Sequence, residues 1–239
     1  MRFEPFDRRC FTSTNSVVNI CAKRYGSIMS YDNEIEIRNK EIDGFNEWYW
    51  VKGDSGAWSV DHDWNVSHKH KYFEYLKKRD VIVTAGGNCG MYAKIYSREF
   101  KTVYAFEPDP LNFHCMVNNC QYDNVIKMQC ALGSENKLVR VARKHWANVG
   151  EHTIAEDETC IIPMLTIDTL GLTDCDIIQL DVEGYEINVL RGAIETIKKF
   201  KPVITAENGR STAITELMDS LGYEYKGNSC SDAIYVYKD

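Results

Sequence analysis

The sequence predicts an α/β protein with a mainly parallel central sheet, on three observations. From residue 80 onward, short apolar runs of strand length alternate with helix-compatible stretches. Glycines cluster where the first of these runs turns into a helix, at Gly86-Gly87-Asn88-Cys89-Gly90. Acids follow two later runs directly, at Glu107 and Asp181. An alternation of this kind buries a parallel sheet between two helical layers and leaves the strand ends free to carry a site.

Residues 1–75 have a different texture. They hold four of the five tryptophans, Trp48, Trp50, Trp58 and Trp64, among glycines and acids and without sustained periodicity. We read them as an aromatic-rich N-terminal segment, with residues 76–239 as the main domain. There, strands are expected over residues 81–83, 102–106, 125–128, 176–180 and 202–206, and helices over 91–100 and 212–221, the latter ended by Gly222. Residues 223–225 and 233–237 read as a closing strand pair joined by a polar loop over 226–232, which gives the sheet an antiparallel edge. Between Gly133 and Asp176 the alternation breaks into two strand candidates, 138–141 and 161–165, around a polar stretch that contains His152. Long insertions in a compact sheet protein tend to serve function.

Composition narrows the field. With 239 residues, 44% hydrophobic and 26% charged, the chain can bury a sizeable core and is neither disordered nor fibrous. A formal charge of -7 argues against non-specific nucleic-acid binding, which relies on clustered Lys and Arg. Nine cysteines, an odd number with no C-x-x-C pair, indicate neither a zinc nor a redox motif and suit a reducing compartment. The N-terminus has no apolar leader and no apolar run reaches membrane-spanning length, so a cytoplasmic protein is expected. The oligomeric state is not legible.

The glycine turn lets a ligand approach both backbone and helix N-terminus, although glycines at such turns also serve the turn itself. About twenty residues on, Glu107 stands at the end of the neighbouring strand, where an acid accepts hydrogen bonds from ribose hydroxyls. The glycines do not fit G-x-G-x-x-G, which lowers the dinucleotide reading. Asp181 ends a buried strand in the crevice where open parallel sheets bind ligands.

Taken in order, AGGNCG (85–90), FEPDPLNF (106–113), CALG (130–133), LTID (165–168), DIIQLDVEGYEINVLRGA (176–193) and KPVITAEN (201–208) resemble the FkbM family of S-adenosylmethionine-dependent O-methyltransferases. The resemblance implies a class I, Rossmann-like methyltransferase fold that binds S-adenosylmethionine. By position it assigns Thr84, Gly86, Gly87, Asn88 and Gly90 to the cofactor loop. Glu107, followed by Pro108, matches the ribose-binding acid, and Cys130 and Ala131 fall where adenine is lined. The family loop opens with an Asp where this chain has Thr84. That departure keeps open a catalytically inactive adenosyl-ligand binding protein.

Methyl transfer from a sulfonium requires alignment and removal of the acceptor's proton. His152, in the insertion, is the first candidate base and His62 the second; the alternative readings are a surface loop histidine with no role for His152 and a core or capping residue of the N-terminal segment for His62. Asp181 with Glu207 and Asn208 repeats the arrangement by which catechol-type O-methyltransferases hold magnesium, so Mg2+ is a further candidate ligand. The tryptophan-rich segment is a candidate lid over the acceptor or simply packing. The acceptor itself is expected to be a small molecule or glycan, a sugar hydroxyl by default. An RNA ribose methyltransferase and a nucleotide-dependent oxidoreductase are the rival readings.

Overall fold

The structure, a computed structural model, describes residues 33–61, 70–142, 148–155 and 161–238. His62, Trp64 and everything before residue 33 lie outside the described residues.

Seven strands form the central sheet: β3 (Val81–Ala85), β4 (Thr102–Phe106), β5 (Val125–Met128), β10 (Ile177–Leu180), β11 (Val203–Glu207), β12 (Tyr223–Ser229) and β13 (Asp232–Tyr237). Their spatial order is β12-β13-β11-β10-β3-β4-β5. The pairs β3–β4, β4–β5, β3–β10 and β10–β11 are parallel, and β13 runs antiparallel to both neighbours. The reversed strand therefore sits one place in from the margin, with β12 outside it. Residues 226–229, expected in a loop, instead continue β12 past a register shift between Tyr225 and Gly227. Gly227, at φ +123°, absorbs that bulge.

All four residues of β10 are buried, as a central parallel strand covered on both faces requires. One covering layer consists of α3 (Met91–Tyr96) and α4 (Pro110–Asn119), preceded by the short helices α1 (Trp58–Asp61) and α2 (His70–Phe73). The other consists of α5 (Glu186–Arg191), α6 (Ile194–Phe200) and α7 (Thr212–Ser220). Alternate strand residues divide between the two cores: Val83, Ile178 and Ile204 pack with Val189 and Met218, while Ile82, Ile177 and Val203 share a cluster with Tyr96 and Met116. This is the α/β, Rossmann-like architecture the sequence predicts. Among the described residues, no helix is long and apolar enough to cross a membrane.

Two features lie outside the main sheet. The hairpin β1 (Ile35–Ile42) and β2 (Phe45–Val51) turns at Asp43 and Gly44, both at positive φ, the conformation a two-residue hairpin turn demands. It packs Phe45, Trp48 and Trp50 against Met91, Ile95 and Cys115. Asn119 of α4 clasps it, accepting from Tyr49 N and donating to Tyr49 O, each at 2.8 Å. Residues from Ile35 onward thus form one compact unit. The insertion supplies a second sheet, ordered β6-β9-β7-β8 with β6 (Ala131–Leu132), β7 (Lys137–Ala142), β8 (Thr153–Ala155) and β9 (Ile162–Leu165).

Candidate cofactor and acceptor cleft

Strand order reverses beside β3, whose neighbours β4 and β10 lead the chain in opposite directions. Crevices at such switch points, outside the carboxyl ends of the strands, are where open α/β sheets bind ligands. Here a cleft opens, lined by Gly86 and Asn88 after β3, Glu107 and Pro108 after β4, Cys130 and Ala131 before the insertion, and Asp181 to Glu183 after β10. Val149 to Ile154, apart from Glu151, close its far side.

The glycine turn is shaped first by the protein's own packing. A Cβ on Gly86 would lie 1.6 Å from Asp181 O, and its φ is +80°, so only glycine lets the β3 and β10 ends meet. Gly87 donates to Phe106 O at 2.8 Å, and both Gly87 and Gly90 press against Met116. These two stand outside the cleft lining. Thr84 does as well: it is 2% exposed within β3, and its hydroxyl donates to Gln179 Oε1 at 3.2 Å on the paired strand.

Glu107 is 5% exposed and lines the cleft. Its Oε2 accepts from Asn88 N and its Oε1 from Asp109 N, both at 2.8 Å. Desolvation is the main reason its carboxyl is pushed up to about 8; the Asp109 charge adds to this, while the two N–H donors and Asn112 oppose it. Next to it, Phe106, Pro108, Cys130, Ala131 and Leu132 give an apolar wall. Burial holds the Cys130 thiol up at about 11, so that side chain is a neutral surface.

Asp181 faces the cleft within a dense acidic neighbourhood. Desolvation, then the charges of Glu207, Asp232, Glu183 and Glu186, push its carboxyl well above the usual range. Glu207 is raised too, by burial and by Glu186. Oxygens of Asp181, Glu183 and Glu207 lie within 4.8 Å of one another, whereas Asn208 is an exposed residue at φ +50°.

His152 lies in the cleft wall with 9% of its side chain exposed, and its Nδ1 is 3.1 Å from Asp109 Oδ2. Asp109 caps α4, accepting from Leu111 N at 2.8 Å and from Asn112 N at 3.3 Å, with Pro110 at the first helical position. Buried polar contacts hold the loop that carries His152. Val149 N donates to Asp54 Oδ1 at 2.9 Å, and Asn112 Nδ2 donates to Val149 O at 3.1 Å. The other oxygen of Asp54 accepts from Trp50 Nε1 at 2.6 Å.

The cleft thus collects Gly86, Asn88, Glu107, Pro108, Cys130, Ala131, His152 and Asp181 from the expected set, and leaves out Thr84, Gly87, Gly90, Glu207 and Asn208. Asp109 and Asn112 are supporting or lining residues that the sequence reading passed over, and Glu183, which as an acid after a strand reads more plainly as a helix cap, lines the cleft as well. The Asp-Pro pair at 109–110 was the available signal, since it marks a helix start whose cap is an acid two residues beyond Glu107.

A ligand crevice at the switch point of a parallel sheet, with an acid after the second strand, is the arrangement by which open α/β proteins hold their ligands. Residues 80–225 match the methyltransferase FkbM domain, and the chain belongs to that family. Among curated relatives, it is 27% identical over 137 residues to the hexuronic acid methyltransferase AglP of Haloferax volcanii, covering 55% of this chain and 57% of that one. It is 28% identical over 142 residues to methyltransferase 1 of Beauveria bassiana, covering 46% of this chain and 57% of that one. The chain therefore spans little more than half the length of these relatives. Among solved structures, FkbM from Methylobacillus flagellatus KT aligns with a TM-score of 0.48 at 17% identity, covering 70% of this chain and 50% of that one.

The residues present fit an adenosine-bearing cofactor. Glu107 offers a recessed carboxylate, the neighbouring wall is apolar, and a buried acceptor, Asn112 Oδ1, has no hydrogen-bond partner among the described residues. Such a surface matches a ligand with hydroxyl donors on one side and a flat, weakly polar ring on the other.

Proposed function

We propose that this chain is an S-adenosylmethionine-dependent methyltransferase that methylates a hydroxyl oxygen of a neutral acceptor, a sugar or glycan by default. The observation that carries the reading is the position of Glu107, held by Asn88 N and Asp109 N at the mouth of the switch-point crevice. When bound, S-adenosylmethionine supplies an electrophilic methyl group. Glu107 receives ribose hydroxyls, Gly86 and Asn88 border the methionine end, and Cys130 and Ala131 flank adenine. His152 accepts the acceptor's proton at Nε2 while Nδ1 faces Asp109. His62, the second candidate base, stays secondary.

The described cleft lining contains Glu107, Asp181 and Glu183 but no Lys or Arg. An uncharged sugar suits this better than a carboxylated one, although AglP is named for hexuronic acid. The same electrostatics and the charge of -7 weigh against an RNA ribose. The N-terminal segment, 1–75, is proposed to close over the acceptor, with 76–239 carrying the cofactor.

Calorimetric titration with S-adenosylhomocysteine tests the cofactor, and binding of NAD instead would overturn it. Binding without turnover across a glycan and small-molecule screen would favour an inactive binding protein. A divalent cation at the β10 edge is a second reading, favoured by the mutual approach of Asp181, Glu183 and Glu207 and by Glu207 Oε2, which is buried without a hydrogen-bond partner among the described residues. Such a site offers the oxygen ligands Mg2+ prefers. Titration with Mg2+ that releases no heat, together with activity indifferent to a chelator, would remove it.

A further inference from the structure

Among the described residues that line the cleft, two side chains besides His152 are aromatic, Phe106 and Tyr185. Phe106 is 1% exposed within β4, whereas Tyr185 is only half-buried. Tyr185 reaches the cleft through a sharp turn after β10, in which Glu183 and Gly184 both take positive φ, at +54° and +93°. A left-handed glutamate is uncommon, and such backbone persists where the surrounding structure enforces it. Here the buried Glu186 enforces it, its Oε1 accepting from Val182 N at 3.3 Å and from Gly184 N at 3.1 Å. Tyr185 therefore stands on a pinned turn at the start of α5.

Its packing connects it to the apolar wall. Tyr185 packs against the cluster that contains Cys130 and Leu132 and also against the one that contains Ala131. Val141 and Ile154, cross-strand partners on β7 and β8, pack against that second cluster as well. All of these residues line the cleft. They make an uncharged surface with one accessible ring, continuous with the wall already proposed for adenine. A flat heteroaromatic base covers such a surface well, because its π-face stacks on an aromatic side chain without calling for hydrogen bonds. We infer that Tyr185 is a further base-recognition residue: its ring packs against the adenine of the cofactor, with Val141 and Ile154 of the insertion alongside. The inference rests on the proposed S-adenosylmethionine site and adds the turn after β10 to the strand ends at Glu107 and Cys130 as part of the cofactor's grip.

The test is calorimetric titration of the full chain with S-adenosylhomocysteine, on wild type and on Tyr185→Phe, Tyr185→Leu and Tyr185→Ala. Tyr185→Phe is expected to bind within about twofold of wild type, and the leucine and alanine variants about tenfold or more weakly, the scale of a lost base–aromatic stack. Leucine keeps an apolar side chain in place, so Tyr185→Leu serves where Tyr185→Ala does not fold. Stacking also lowers the ultraviolet absorbance of a base. Adenine's band is therefore expected to weaken on binding to wild type and Tyr185→Phe but not to Tyr185→Leu, a signal that a mere prop for the insertion would not move. Tyr185→Leu that binds as tightly as wild type, or that shows the same loss of absorbance, would overturn the inference. So would Tyr185→Phe that binds as weakly as Tyr185→Leu. Wild-type protein that fails to bind S-adenosylhomocysteine at all would instead bring down the cofactor assignment.

Discussion

Nδ1 of His152 sits 3.1 Å from Oδ2 of Asp109, a fully buried carboxylate whose other oxygen caps α4. One acid therefore joins the start of a rigid helix to a side chain in the insertion. On the proposed function, His152→Asn should lower kcat by about 10²–10⁴-fold on the acceptor found by screening, with S-adenosylhomocysteine affinity nearly unchanged. Asp109→Asn, which keeps the cap, should lower kcat in the same direction. Parallel loss of kcat and cofactor affinity in His152→Asn would show that the imidazole only fastens the loop.

The raised carboxyl of Glu107 predicts a pH dependence of binding. Hydroxyl donors favour the carboxylate, and in the unliganded protein Glu107 gives up its proton only near pH 8. Affinity for S-adenosylhomocysteine should accordingly rise between about pH 6.5 and pH 8.5 and then level off, by linkage. For the unliganded fold the sign is opposite. The folded acid holds its proton up to about 8, against an ordinary value of 4.5, so its contribution to stability is full below 4.5 and is lost as pH climbs through 8. Titrations across this range on wild type and Glu107→Gln check it; a pH profile unchanged in the variant would exclude Glu107 as the source.

Thr84 spends its hydroxyl on Gln179. Thr84→Val should cost about 1–3 kcal/mol of folding stability by leaving the Gln179 oxygen unpaired, while cofactor affinity stays constant. Denaturant melts and calorimetry separate the two effects. A variant of normal stability with weakened binding would return Thr84 to the cofactor site.

The tryptophans of the N-terminal segment should divide by burial. Trp48 is 0% exposed and its Nε1 donates to Lys40 O at 2.9 Å, so Trp48→Ala should cost about 3–5 kcal/mol. Trp58 is 45% exposed, and Trp58→Ala should cost far less. A raised acceptor KM in Trp58→Ala at normal stability would support the lid, whereas an unchanged KM would retire it for that residue.

Much of this was legible because the period of the pattern is set by burial on two faces. The runs at 81–83, 102–106, 125–128 and 202–206 became strands within a residue or two of expectation. Glu107 and Asp181 reached the crevice because a strand end has one place to deliver its next side chain. The hairpin before residue 52 was missed, since β2 carries Phe45, Trp48, Trp50 and Val51 to a helical layer without clean alternation, although Asp43-Gly44 was a turn signal in plain sight. Asn112 was hidden for a different reason. Whether a helical asparagine serves a cap, a core or a ligand depends on partners far along the chain, and here one of them is Val149.

Asp54 has a practical bearing on how the chain can be shortened. Its two oxygens tether Trp50, in the hairpin, and Val149, at the rim of the cleft, nearly a hundred positions apart in sequence. Cutting back to the portion that begins near residue 76 would strip an anchor from the rim and leave the Val149 amide without its acceptor. A trimmed chain of this kind would keep its sheet and lose the shape of its mouth.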